Sequence, residues 1–197
     1  MKISIIKYNA GNIQSVLFAL QRIGVEAVVT DDVQELLSSD KVIFPGVGEA
    51  SSAMNYLKEK QLDKLIVDLK QPVLGICLGM QLMCKHSEEN NTDCLGIFDL
   101  NVKRFPLSEL KVPQIGWNNV YSLKSPILNG ISENEYMYFV HSFYAEKCAE
   151  SIALTNYGIE YSSAIQKDNF FAVQFHPEKS GEAGQKILEN FINLPLL

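Results

Sequence analysis

Residues 72–83 read PVLGICLGMQLM, and the rest of the chain is organised around them. Residues 72–76 form a short apolar run of the kind that makes a buried strand, and a helix is expected to start at Cys77 and run through Met83. Gly75 and Gly79 stand two residues to either side of Cys77. Gly-x-Cys-x-Gly is the cysteine form of the nucleophile elbow, which needs this passage from strand to helix. The turn crowds the nucleophile's backbone against its neighbours, and glycine at both positions removes the clashing Cβ atoms. A helix N-terminus favours thiolate, and the Leu78 amide just after the nucleophile is placed to donate to an oxyanion. The pentapeptide alone fits a buried cysteine in a tight turn equally well.

Upstream of the elbow, strands and helices alternate. Residues 2–7, 26–29 and 41–44 read as strands. A helix capped by Asn12 carries Ile13, Val16, Leu17, Leu20 and Ile23 at helical spacing and ends at Gly24. Residues 31–37 make a short helix. Ala50, Ala53, Met54 and Leu57 mark one later helical face, and Leu62, Leu65, Ile66 and Leu69 mark another. This alternation predicts an α/β domain with a largely parallel central sheet flanked by helices. After a polar loop at 87–93 (SEENNTD) the pattern changes. Residues 98–105, 117–123, 136–140, 151–156, 161–166 and 169–175 read as strands separated by turns such as Asn129-Gly130 and Asp168-Asn169. A last helix, 181–193, buries Ile187, Leu188, Phe191 and Ile192. The second half is therefore expected to be mixed or antiparallel. With no internal repeat or linker, residues 1–197 are expected to form one domain.

Composition narrows the function. The chain is 47% hydrophobic with a formal net charge of −6, which disfavours a nucleic-acid partner. No apolar run is long enough for a membrane span, and MKISIIKYNAGN is too short for a secretory leader, so a soluble cytoplasmic protein is expected. Cys77, Cys84, Cys94 and Cys148 match no zinc spacing, and the three histidines are scattered, so no metal or other cofactor is expected. Cys84, Cys94 and Cys148 read as small buried hydrophobes.

A thiolate nucleophile needs a base and a group to orient that base. His176-Pro177-Glu178 offers both at the end of the 169–175 strand, where open α/β sheets place their ligand sites. Pro177 disfavours helix at His176, and in extended chain Glu178 points the same way as His176. Pro45-Gly46-Val47-Gly48 follows another strand end. Its glycines let the peptide at Val47 turn either way, so Val47 can supply a second oxyanion amide in one orientation and present its carbonyl to the site in the other. The same four residues also fit an ordinary glycine-rich loop. They lack the length and the lysine of a phosphate-binding loop.

Taken in order, YNAGNIQSV, FPGVG, GICLGMQLM, VPQIGWN, YFVHSF and QFHPEKSG resemble the class I (triad) glutamine amidotransferases, and within them the glutaminase subunits of imidazole glycerol phosphate synthases. The resemblance spans most of the chain. It implies glutamine hydrolysis to glutamate and ammonia through a cysteine thioester, with the ammonia passed to a (β/α)₈-barrel synthase subunit in a heterodimer serving histidine biosynthesis. It implies Cys77 as nucleophile, His176 as general base and acid, Glu178 as orienting carboxylate, and Val47 and Leu78 as oxyanion amides. Gly46, Gly48, Gln81, Ser142 and Phe143 then belong to the glutamine pocket. Asn12, Ile115, Trp117, Tyr138 and Lys179 belong to the face that meets the synthase. Related subunits often carry Tyr where this chain has Phe143, so a hydroxyl contribution there is absent. The same chemistry serving another synthase, and a non-catalytic subunit keeping the fold, are the competing readings.

Overall fold

A computed structural model describes residues 1–9, 11–106 and 111–195; Ala10, within the YNAGNIQSV motif, lies outside the described residues. Strands β1 (Ile3–Ile6), β2 (Ala27–Thr30), β3 (Lys41–Phe44) and β4 (Val73–Ile76) alternate with helices α1 (Ile13–Arg22), α2 (Val33–Leu37), α3 (Ala50–Glu59) and α4 (Leu62–Asp68), and β4 leads into α5 (Leu78–Met83). The second half contains β5 (His86–Ser87), β6 (Thr92–Asp93), β7 (Asn101–Arg104), β8 (Gln114–Val120), β9 (Glu135–His141), β10 (Phe143–Ala145), β11 (Ser151–Asn156), β12 (Glu160–Lys167) and β13 (Phe170–Val173), and closes with α6 (Gly181–Ile192).

The parallel half follows the expected pattern, with one strand from the far end of the chain added to it. The sheet runs β2-β1-β3-β4-β13-β12-β10-β7-β5-β6, with β11 also paired to β12. β13 lies parallel to β4, with Val173 opposite Ile76. That pairing sets the ends of the two strands side by side, and these ends carry Cys77 and His176. Antiparallel pairing begins at β12. β8 and β9 form a separate hairpin that registers Trp117 opposite Tyr138.

Strand side chains alternate between two apolar layers. Ile3, Ile5, Ile43, Leu74 and Ile76 pack on the side of α1 and α6, where Val16, Leu20, Leu188 and Phe191 meet them. Ile6, Val42, Phe44 and Val73 pack on the other side against Met54 and Leu57 of α3 and Leu62 and Ile66 of α4. Burial on both faces explains why these strands are continuous apolar runs. Among the described residues no helix is long and apolar enough to cross a membrane.

Three local expectations are corrected. Residues 87–93 are not a plain loop: β5, a 3₁₀ turn at Glu89–Asn91 and β6 make a small hairpin there. The strand expected at 117–123 starts earlier and ends sooner, as β8. Asn12 does not cap α1. Its backbone is left-handed at φ 75°, and its side chain makes no capping bond, because it is drawn to the triad described below.

Candidate active site

Cys77 sits in the elbow with φ 52° and ψ −104°, a backbone conformation unfavourable for any residue with a Cβ. The surrounding contacts hold it there. A Cβ on Gly79 would overlap the Phe44 carbonyl oxygen of β3, and one on Gly75 would lie 3.0 Å from the Met80 nitrogen. Both glycines are thus required by close backbone approach. Among the other thiols, burial pushes Cys84 and Cys94 well above the usual cysteine range, which disfavours thiolate at either.

His176 is fully buried, at the end of β13. Its backbone is extended (φ −100°, ψ 94°), as Pro177 requires, but Pro177–Lys179 then form a 3₁₀ turn. This turn, rather than continued extended chain, brings Glu178 round to the ring, with Oε1 2.7 Å from His176 Nδ1. The Asn12 side-chain amide also donates to Glu178 Oε1 and lies 3.4 Å from His176 Nδ1. Nδ1 is therefore committed to the carboxylate, which leaves Nε2 as the working nitrogen, and Nε2 makes no hydrogen bond among the described residues. Burial works against charging this ring. Neighbouring Cys77 and then Glu178 outweigh it and push the His176 imidazolium up to about 10.

A cavity of about 260 Å³ opens beside Cys77. It falls just below the roughly 300–1,000 Å³ of drug-sized ligand sites, so it suits one amino acid better than a long acyl chain. Val47, Gly48, Leu78, Gln81, Ser142 and Phe143 line it, as does Cys77, whereas Gly46 is buried and not part of the lining. Glu89 belongs to none of the motifs, yet its carboxylate also lines the cavity, half-buried, and accepts from the Ala50 amide at 2.7 Å. It sits in the polar stretch SEENNTD, where it looks like a solvated charge. In the fold that stretch is anchored by the pairing of β5 with β7 and by the Ala50 amide bond to Glu89.

The oxyanion loop departs from expectation in one atom. Leu78 N–H donates to the Gly46 carbonyl at 3.3 Å. Because a trans peptide points its N–H and C=O opposite ways, the Val47 N–H faces away from Leu78. The carbonyl that faces the site is Gly46's, not Val47's; the Val47 carbonyl accepts from the Gly11 amide at 3.2 Å. In this state the Leu78 amide is thus occupied by the Gly46 carbonyl, and the Val47 amide is turned away from it.

Ile115 and Trp117 project from one face of β8 and are 60% and 56% exposed. Tyr138 crosses Trp117 edge-to-face at 5.9 Å. Lys179 is exposed next to Glu178. The hairpin is tied to the triad segment, since His176 N–H donates to the Tyr138 carbonyl at 2.9 Å and Ser180 Oγ accepts from Tyr138 N–H at 3.0 Å. Asn12, half-exposed, bonds to Glu178, the neighbour of Lys179. Among the described residues no group of three His, Cys, Asp or Glu side chains is placed to hold a metal.

Residues 5–194 match the family described as glutamine amidotransferase class-I. The chain belongs to the class I glutamine amidotransferases. Among its amidotransferase relatives, a protein of Bacteroides fragilis named imidazole glycerol phosphate synthase subunit HisH is 58% identical over 98% of this chain and all of its own length. One of the same name from Haemophilus influenzae is 46% identical over 98% of this chain and 97% of its own. A solved glutamine amidotransferase superposes with a TM-score of 0.74 at 17% identity, covering 97% of this chain and 99% of the other. The solved PurLQS of Thermotoga maritima gives 0.69 at 16%, covering 98% of this chain and 97% of the other. These two likenesses establish the shared fold.

Proposed function

We propose that this chain is the glutaminase subunit of an imidazole glycerol phosphate synthase, with Cys77, His176 and Glu178 as its catalytic triad. The observation that carries the reading is the pairing of β4 with β13, which brings an elbow cysteine and a carboxylate-held histidine together at the edge of a cavity of amino-acid size. The high identity to full-length HisH proteins supports the choice of client.

The Cys77 thiolate attacks the side-chain carboxamide carbon of glutamine. Negative charge gathers on the former carbonyl oxygen and is met by the Leu78 and Val47 amides once the 46–47 peptide has turned over. His176 Nε2 gives its proton to the leaving nitrogen, and ammonia departs from a γ-glutamyl thioester. Water then attacks with His176 as base, and glutamate is released. Glu178 keeps the imidazole in the required tautomer and stabilises its charged form. Glu89 suits the α-ammonium of glutamine. With Gln81 Nε2 donating to Phe143 O and to Gln174, only Gln81 Oε1 remains to face a ligand. The exposed Ile115 and Trp117, the half-buried Tyr138 beside them and Lys179 suit a synthase subunit, since aromatic side chains are enriched where interfaces close.

Purified chain is mixed with the synthase subunit from the same organism, and glutamate release and complex formation are measured together. A stable one-to-one complex with stimulated glutamate release is expected. Absence of a complex, with slow Cys77-dependent glutamate release still measurable, would reassign the client but not the chemistry.

A further inference from the structure

The strand that delivers His176 also delivers Gln174, two residues earlier, which is fully buried. Its Nε2 lies 3.6 Å from Cys77 Sγ, within hydrogen-bond reach of sulfur. Its Oε1 lies 3.0 Å from Gln81 Nε2, and Gln81 Nε2 also lies 3.0 Å from the Phe143 carbonyl oxygen. A carboxamide has one donating and one accepting end, and which is which follows from its neighbours. A backbone carbonyl can only accept, so Gln81 must turn its N–H₂ toward Phe143. That same N–H₂ needs an acceptor on Gln174, so Gln174 must offer its oxygen there and its N–H₂ to the sulfur. One carbonyl on β10 thus fixes the direction of the whole chain of bonds.

We propose that Gln174 is a further catalytic residue, whose side-chain amide donates to Cys77 Sγ and is locked in that direction by Gln81 and the Phe143 carbonyl. The inference rests on Cys77 being the nucleophile. Its use comes twice in the cycle. Before attack, the Cys77 thiol donates to the Val140 carbonyl at 3.8 Å; once that proton has left, the Gln174 amide is the side-chain donor that meets the sulfur anion alongside His176. In thioester hydrolysis, water adds to the acyl carbon and its proton passes to His176. The tetrahedral intermediate then collapses, the C–S bond breaks and its electron pair returns to sulfur, where the Gln174 amide meets the returning charge. Charge-assisted bonds of this kind are about twice as strong as neutral ones. Because Gln81 both borders the glutamine cavity and orients Gln174, substrate contact at Gln81 is transmitted to the reacting sulfur through two hydrogen bonds.

The test compares Gln174→Met, close in shape but without a donor, with the unaltered protein. The rate of Cys77 alkylation by iodoacetamide is followed against pH, with the site read by peptide mapping. The midpoint of the profile is expected to move up by about one to two pH units. Turnover should fall about tenfold near neutral pH and recover at higher pH, a pattern that a packing defect would not give. An unmoved profile in a folded Gln174→Met protein, with Cys77→Ala inactive, overturns the Gln174 assignment alone. Full turnover by Cys77→Ala overturns the nucleophile and this inference together. If Gln174→Met does not fold, the unaltered protein labelled with ¹⁵N in its glutamine side chains serves instead. One buried side-chain amide resonance should titrate together with Cys77 alkylation, and the absence of any such resonance overturns the proposal.

Discussion

Replacing Val47 by proline removes the N–H that the 46–47 peptide can bring to an oxyanion. In the structure that peptide is turned the other way, and the Gly46 carbonyl occupies the Leu78 amide at 3.3 Å. Turning it over gives up one hydrogen bond, worth about 0.5–1.5 kcal/mol net. In return two donors become available, and one such donor is worth about 3 kcal/mol, or on the order of 100- to 1,000-fold in rate. Once the tetrahedral intermediate forms, the turned-over state is therefore preferred. Before it forms, the resting state is preferred, and the rate is limited by the fraction of molecules already turned. A partner that favours the turned-over loop by about 1.4 kcal/mol raises that fraction about tenfold while the resting state dominates. The isolated chain should be a poor glutaminase, and the synthase subunit with its ligand should raise kcat much more than it lowers KM. In the complex, Val47→Pro should lose about 100- to 1,000-fold in kcat with glutamine affinity retained, whereas Val47→Ala, which keeps the N–H, should be activated normally. The assays are glutamate release with and without the synthase subunit, and calorimetry of glutamine binding. Full activation of Val47→Pro would refute the loop as switch. An isolated chain turning over at the coupled rate would do the same and leave the triad standing.

Glu178→Gln should impair turnover less than His176→Ala at one fixed pH, because Glu178 orients the ring and His176 moves the protons; the opposite order would mean the roles are misassigned. Calorimetry of the isolated chain with phosphorylated ribosyl compounds should show no specific site, since the cavity beside Cys77 offers a carboxylate, Glu89, to its ligand; a micromolar site would contradict the division of labour. His141 gives a pH dependence of stability. Burial pushes it down to about 4, against the Phe143 carbonyl and with help from His176. The unfolded chain, with histidine near 6.5, binds the extra proton first, so stability is fully present above about pH 6.5 and falls as pH drops toward 4, by about 3 kcal/mol. Denaturant titrations of His141→Gln should show a flatter decline across that window; an unchanged slope would remove His141 as the cause.

The elbow can be read in the sequence because its constraint is local: Gly75, Cys77 and Gly79 lie within five residues, and the clashes they avoid involve backbone that any such turn brings close. The buried faces of α3 and α6 are readable for the same reason, through helical spacing. The insertion of β13 beside β4 is not, because nothing in residues 170–173 specifies a partner almost a hundred positions away. Asn12 shows the opposite failure. Its residue type and its place before α1 satisfy the rule for a cap, but the contact with Glu178, 166 residues on, outweighs it. Gln174 and Glu89 go unread because one follows an apolar strand and the other sits inside a polar stretch, and only tertiary pairing sets Gln174 against Cys77 and Gln81 and Glu89 at the cavity. The Gly46 carbonyl cannot be read from sequence at all, since both orientations of the peptide suit Gly46.

Trapping of the acyl-enzyme puts the triad itself to the test. The complex is mixed with labelled glutamine, quenched in acid during turnover, digested and mapped. A γ-glutamyl thioester, released by hydroxylamine, is expected on the peptide containing Cys77. Label on Cys84, Cys94 or Cys148 instead, or glutamate formed at full rate by a Cys77→Ala protein with no acyl-enzyme at all, would contradict Cys77 as the nucleophile.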